Sequence, residues 1–288
     1  MEEPKTAVGV IGGSGLYEMP GLKVLDEVRL STPFGEPSDL YIVGELEGHP
    51  VVFLPRHGRG HRISPSELNF RANIWGMKKL GVKRIFAVSA VGSMKENIKP
   101  GDMVVIDQFV DRTKGRVSTF FEKGIVAHLS FADPVCGSLR KILIQSAKKV
   151  GTVVHEKGTY LCMEGPQFST RAESNIYRQW GVDVIGMTNL QEAKLAREAE
   201  ICYATLALST DYDCWHEGHD DVTIEAVLAM MHKNVETAKK IIREAIPQAS
   251  SGTSCSCQEA LKTAILTDRS KIPAETRKRL ELIAGKYL

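Results

Sequence analysis

The chain has 288 residues, 43% of them apolar and 25% charged, which is enough for one large α/β domain or two smaller ones. The formal net charge is +2 with both signs interspersed, so nothing in it argues globally for a nucleic-acid or membrane-surface partner. No apolar run approaches the roughly 20 residues that span a bilayer, and the start, Met1-Glu-Glu-Pro-Lys5, lacks signal-peptide architecture, so a cytoplasmic protein is expected.

Ala7 to Ile11 reads as a short buried strand, and Gly12-Gly13-Ser14-Gly15 follows at once. Such a turn points backbone N–H groups at an anion, with the Ser14 hydroxyl as a further donor; a plain tight turn reads equally well. Glu18 stands where a dinucleotide fingerprint has its third glycine, and no lysine follows as in a nucleotide-phosphate loop. One small oxyanion therefore fits better than a dinucleotide or ATP.

Val51 to Leu54 is a second strand, ending in Pro55-Arg56-His57-Gly58-Arg59-Gly60-His61-Arg62. This is either a cationic loop over a phosphate, the anion that arginine recognises with a fork, or a solvated basic loop. Ser64 and Glu67 frame a capping box with Pro65 at the first helical position. It predicts a helix to Leu80 with Leu68, Ala72, Trp75 and Leu80 facing inward, closed by Gly81. Val82 to Val91 is a strong strand, and strand, helix and strand at this spacing predict a crossover of a parallel sheet. Ser89 and Ala90 lie near its carboxyl end.

A further strand is predicted at Gly101–Ile106, then an irregular polar stretch over 107–131, a length that marks function or an interface. Helical periodicity returns at Ser138–Val150. Gly158–Met163 is strand-like and turns at Glu164-Gly-Pro-Gln-Phe168-Ser169, and Thr170 with Glu173 frames a second capping box for a helix ending at Gly181. A second strand–helix–strand unit follows at Val182–Thr188, Glu192–Glu200 and Ile201–Thr210. A long amphipathic helix, Thr223–Ala245, carries Val227, Met230, Met231 and Val235 on its apolar side; Pro247–Cys257 is a polar break. Helical patterns at Gln258–Leu266 and Ala274–Ala284 finish the chain. The expected fold is a single α/β domain over 1–247, its central sheet mixed and largely parallel and flanked by helices, with a helical appendage over 248–288 packed on it.

Of six cysteines, Cys202 sits in an apolar strand as a small core residue. Cys255-Ser-Cys257 lies in a polar segment and lacks the second ligand pair of a zinc site. It reads as a redox pair, as bonded to another cysteine, or as two free surface thiols. Cys214, His216 and His219 match no strong zinc spacing, so no metal is expected.

The apolar run from Ala204 stops on Asp211 and Asp213. Ligands of open α/β sheets sit where parallel strands run out. If the strand continues to Asp213, the two carboxylates share a face; a solvated turn with a helix cap is the alternative. Strand exits thus bring Ser14, Arg56, His57, Ser89 and Thr188, donors suited to phosphate, to the same edge as two acids suited to a ring nitrogen or amino group. The pattern implies inorganic phosphate beside a polar heterocycle, with group transfer between them.

Ile11-Gly-Gly-Ser-Gly-Leu16, Thr32-Pro-Phe-Gly-Glu-Pro-Ser38, Arg56-His57-Gly58, Asn69 to Trp75, Pro100-Gly-Asp102, Asp107 to Arg112, Glu164 to Phe168, Arg171-Ala-Glu173, Met187-Thr188 and Ser209 to Trp215 together carry a resemblance. The chain resembles the nucleoside phosphorylase family in its trimeric, phosphate-dependent branch, weakly so only beyond Pro247. The resemblance implies cleavage of methylthioadenosine by phosphate to adenine and 5-methylthioribose 1-phosphate. Adenosine, inosine or methylthioinosine are the wider alternative, and a hydrolytic nucleosidase or a non-catalytic nucleoside-binding module are the more distant ones. It also implies a homotrimer or dimer of trimers, with phosphate as co-substrate and no cofactor. For phosphate it implies Ser14, Arg56, His57, Ser89 (where relatives often have threonine), Ala90 and Thr188. Met187 would lie against the ribose, Phe168 would stack on the purine, and Asp211, Tyr212 and Asp213 would hold the base, the two carboxylates as catalytic groups. Ser169, Ile224, Val227, Leu228 and, from a neighbouring subunit, His128 would set specificity at the 5' substituent.

Overall fold

The computed structural model describes residues 7–13, 15–16, 18–216, 224–251 and 255–288, without the side chains of 224, 226 and 227. In chain order its first half holds β1 (Val8–Gly12), β2 (Lys23–Val28), β3 (Tyr41–Leu46), β4 (His49–Pro55), α1 (Phe70–Lys79), β5 (Arg84–Ser93), β6 (Met103–Val105) and β7 (Gln108–Arg112). Then come α2 (Gly137–Val150), β8 (Val154–His155), β9 (Thr159–Met163), α3 (Arg171–Gln179), β10 (Val184–Gly186), α4 (Asn189–Glu198), β11 (Cys202–Asp211), α5 (Ile224–Ser250) and α6 (Ala274–Ala284).

Apolar runs without alternation mark strands covered on both faces, and β1 and β11 are buried almost throughout. The strands join in the order β2-β3-β4-β1-β5-β10-β9-β7, with β11 pairing β5 and β6, and β6 pairing β8. β1 is parallel to β4 and β5, and β11 is parallel to β5. β10 runs antiparallel to β5, and β2, β3 and β4 form an antiparallel meander. The sheet is thus mixed and largely parallel at its centre, flanked by helices, as expected. On one side β5 changes partner: Arg84 to Ala87 pair with β1, while Gly92 and Ser93 pair with β10. Between those partners lies Val88–Val91, a switch point of the kind where α/β sheets open a crevice.

Four local expectations are corrected. The box of Ser64 and Glu67 is present, but it caps a single 3-10 turn, Pro65–Glu67. Extended backbone at Leu68 resets the phase, and α1 starts at Phe70 under its own cap, Asn69, whose side chain accepts from the Ala72 amide at 3.1 Å. Its buried residues are Phe70, Ala72, Asn73, Ile74, Gly76 and Met77, leaving Trp75 and Leu80 half-buried. The polar stretch after 107 opens with β7, which is parallel to β9. α5 runs through Pro247 to Ser250, and full burial of Ile246 and Ala249 holds the turn that proline weakens. Gln258–Leu266 yields only a 3-10 turn, Ser256–Glu259, followed by further turns. The chain end is no loose addition: Leu261, Ala264, Ile272, Leu280 and Ile283 share one apolar cluster with Ile11, Tyr41, Leu54 and Ile85. Among the described residues no helix is long and apolar enough to cross a membrane.

The irregular stretch after β7 is pinned to α4 by one buried acid. Glu198 accepts from the Phe120 amide at 2.6 Å and the Thr119 hydroxyl at 2.7 Å, yet burial outweighs both bonds and lifts its carboxyl from 4.5 to about 7. A group whose pKa rises on folding contributes stability that is whole below its unfolded pKa and is lost as pH climbs through the folded one. Wild-type unfolding free energy should therefore drop by up to ~3 kcal/mol between pH 5 and pH 8 through this group. The E198Q variant keeps an acceptor but carries no proton to lose, so urea melts across that range should lack this slope. An identical slope in both proteins would refute the assignment.

Candidate functional site

Residues from the exit of β4 and from β5, β9, α4 and β11 meet beside the switch point of β5. Arg56, just past β4, is buried, and its backbone amide donates to the Gly12 carbonyl at 2.8 Å, tying the exits of β1 and β4 together. Its guanidinium forks onto Glu192 of α4 at 2.5 and 3.1 Å and donates through Nη1 to the Val88 carbonyl at 2.8 Å. Tyr203 of β11 donates to the same carboxylate at 2.8 Å, and Asn189 reaches it at 3.3 Å and the Tyr203 hydroxyl at 3.0 Å. Burial holds Tyr203 well above the ordinary phenol range, so it stays a donor. The arginine read as a phosphate cation is thus already paired, with little donor capacity left over.

Ser89 and Thr188 are both buried and lie on one wall, because each reaches the Tyr160 hydroxyl. Ser89 Oγ lies 3.5 Å from it, and the Thr188 amide donates to it at 3.4 Å. Burial lifts Tyr160 to about 12, which keeps its proton in place. Thr188 is the N-cap of α4 but makes no side-chain cap bond, so that helix presents its N-terminus, a natural anion site, at the same wall. Ala90 is exposed beside Ser89. Ser14 lies outside the described residues.

His57 takes a form that sequence reading did not anticipate. Its Nδ1 lies 2.8 Å from the Ile63 carbonyl, which only accepts, so Nδ1 carries the proton and Nε2 the lone pair. Burial, and then the neighbouring Arg56, push the ring down to about 4. At neutral pH the imidazole is uncharged, and as it stands it offers a phosphate no ring donor.

The acid side is built at the end of β11. A register shift between Ser209 and Asp211 opposite β5 re-aims the last residue. Asp211 accepts the Thr210 hydroxyl at 2.6 Å on one oxygen and the Asp213 amide at 2.8 Å on the other. Asp213 does not continue the strand: it sits in a turn at φ 52°, and its carboxylate takes the Ser174 hydroxyl of α3 at 2.5 Å. The two acids are neighbours through this turn, not through strand alternation. Burial raises both carboxyls, and at Asp213 the charge of Asp211 adds to it. Gly92 lets them in, since a Cβ there would stand 3.0 Å from the Asp211 carboxylate. Tyr212 reaches the Glu96 carbonyl at 3.5 Å and stacks on His216.

The remaining candidates divide. Ser169 is buried, with its hydroxyl 3.7 Å from the Met163 sulfur. Phe168 is 67% exposed on the 164–170 loop. Met187 is held from two sides. Gly165, at φ 68°, presses so close that a Cβ would stand 2.5 Å from the Met187 sulfur. Arg116 donates to the Met187 and Glu164 carbonyls. His128 is exposed, and its amide donates to the Ala264 carbonyl. Leu228 is 44% exposed near the start of α5; the side chains of Ile224 and Val227, and the whole of His219, lie outside the described residues.

Glu192, Asn189, Tyr203, Tyr160 and Arg116 escaped sequence reading. Nothing in the order of residues joins Glu192 to Arg56.

The model of the phosphorylase superfamily matches residues 7–247. The S-methyl-5'-thioadenosine phosphorylases of Koribacter versatilis and Geobacter sulfurreducens are each 60% identical to this chain, over 97% and 98% of it and 96% and 99% of their own lengths. Among solved structures, a methylthioadenosine phosphorylase from an Antarctic soil metagenomic library superposes with a TM-score of 0.92 at 49% identity, covering 98% of this chain and 99% of its own. A variant of the Schistosoma mansoni adenosine/methylthioadenosine phosphorylase in complex with methylthioadenosine gives 0.84 at 39%, covering 90% and 96%. A family model matching residues 7–247, with relatives 60% identical along nearly the full length, makes the chain a member of the phosphorylase superfamily.

Proposed function

We propose that this chain cleaves S-methyl-5'-thioadenosine with inorganic phosphate, releasing adenine and 5-methylthioribose 1-phosphate. The observation that carries the reading is the pair of half-buried carboxyls at the end of β11, both pushed up from the ordinary carboxylate range by burial, in a chain 60% identical to enzymes named for this substrate. Phosphate lies against the wall of Ser89, Thr188 and the α4 N-terminus, and one of its oxygens attacks the anomeric carbon. The bond from that carbon to the purine breaks, and its electron pair passes into the ring. Asp211 donates its proton towards N7 and accepts from the 6-amino group through its other oxygen, while Asp213 is kept close by Ser174. Positive charge grows on the ribose as the bond lengthens, and the phosphate anion first stabilises and then captures it. The chemistry calls for no metal and no organic cofactor. Met187 and Phe168 are the residues we assign to the ribose and the purine face, and Ser169 and Leu228 to the 5' end.

Adenosine is a second substrate on this reading, since it carries the same 6-aminopurine and a relative's name includes it. The assembly we assign is a trimer or a dimer of trimers, in which His128 is offered to a neighbouring copy's 5' pocket. The test is one incubation of methylthioadenosine with and without phosphate, run on a species whose mass in solution is also measured. Adenine should appear only with phosphate, from a particle of three or six chains of 31.7 kDa. Equal release without phosphate would establish a nucleosidase instead.

A further inference from the structure

We propose that Cys136, Cys202, Cys255 and Cys257 bind one zinc-type divalent cation as a closed tetrathiolate site, remote from the crevice. The four come from three places in the chain. Cys136 is the N-cap of α2, Cys202 opens β11, Cys255 is the N-cap of the 3-10 turn Ser256–Glu259, and Cys257 is that turn's second residue. All four sulfurs lie within 4.8 Å of one another, and those of Cys136 and Cys255 are 3.7 Å apart. A tetrahedral site with metal–sulfur bonds of about 2.3 Å requires sulfurs about 3.8 Å apart, so closing on an ion needs shifts of no more than about 1 Å. All four are free thiols.

The chemistry of the set is selective. Sulfur-only ligation favours a soft or borderline ion and rejects magnesium and calcium. Cys136 and Cys202 are buried while Cys255 and Cys257 are half-buried, which gives a closed inner face and a side for entry. Four protein ligands leave no position for substrate, so the ion is structural. Cys202 and Asp211 stand at opposite ends of β11, which puts the cluster roughly 30 Å from the acids. The ion clamps the segment after α5 onto α2 and β11, where the last part of the chain begins its return into the core. Cys255-Ser-Cys257 therefore does have a second ligand pair, one that only the fold supplies.

The test uses the full chain, purified from zinc-supplemented medium without chelator. About one zinc per chain is expected, released when a mercurial titrates the thiols. Cobalt in its place should give the thiolate charge-transfer and ligand-field bands of a tetrahedral sulfur site. The C257S variant should lose stoichiometric zinc and melt ~5–10 °C lower. Its phosphate-dependent adenine release per folded chain should stay within about twofold of wild type, because the cluster does not touch the reaction. Six titratable thiols per denatured chain with no zinc would overturn the proposal, as would full zinc in C257S. A denatured mass lower by two or four hydrogens and restored by reduction would overturn it in favour of disulfides. Should C257S fail to fold, the metal content and denatured mass of the wild type decide alone.

Discussion

D211N should invert the choice of base. With methylthioadenosine, kcat/KM is expected to fall by roughly 10²–10³-fold, and with inosine it should rise. Two losses combine for the 6-amino substrate. The amide has no acidic proton for the leaving purine, and general acid help is typically worth ~10²–10⁴-fold. The amide NH2, if it faces the 6-amino group, also sets donor against donor, a mismatch of about 1–3 kcal/mol for a buried polar group. A 6-oxopurine offers an acceptor there, which the amide satisfies. The pH profile should change as well. Burial raises the Asp211 carboxyl, so the protonated acid is depleted as pH climbs through that raised pKa, and wild-type kcat/KM should decline on that limb. The variant should lose the decline. If the ratio of the two substrates' kcat/KM values stays as in wild type, Asp211 does not read the base.

E192Q should be the most damaging conservative change in the molecule. Arg56 and Glu192 side chains are 2% and 1% exposed, and their charges meet at 2.5 Å. Removing one charge of such a pair strands the other, which typically costs about 3–5 kcal/mol. For a chain of this size that is roughly 6–20 °C in Tm. Phosphate should give part of it back, because the anion replaces the missing negative charge beside Arg56 and stabilises the state that binds it. The thermal shift on adding phosphate should therefore be larger in E192Q than in wild type. Equal shifts in the two proteins would remove Arg56 from the phosphate site.

Much of the fold was legible in the order of residues because both-face burial leaves a local mark. The unbroken apolar run of β11, the capping box at Thr170 and the strand before Arg56 are all short-range signals, and all stand where expected. What failed was phase and partnership. The box at Ser64 was real, yet extended backbone at Leu68 ended its turn, something a pattern of polar and apolar letters does not encode. Arg56 looked like a free cation because its partner is 136 residues away. His57 looked cationic because neither its burial nor its bond to Ile63 is visible in one dimension. Asp211 and Asp213 were paired for the wrong geometric reason, since a bulge and a turn do what strand alternation was expected to do. The cysteines show the same limit most plainly, with one ligand pair adjacent and the other split between a helix cap and a strand start.

One consequence of the Arg56–Glu192 fork reaches beyond structure. Because that arginine is neutralised before substrate arrives, an entering phosphate adds negative charge that the crevice does not cancel. Nearby groups must answer by holding protons more tightly: the lone pair of His57 and the acid at Asp211 both gain basicity in its field. Phosphate and proton then bind with positive coupling, each raising the affinity for the other. On the proposed reading the attacking anion itself keeps protonated the acid that eases departure of the purine, so phosphorolysis is armed by its own nucleophile. The phosphate thermal-shift titration, repeated at two pH values, reads that coupling directly, as a shift that grows towards the acid side.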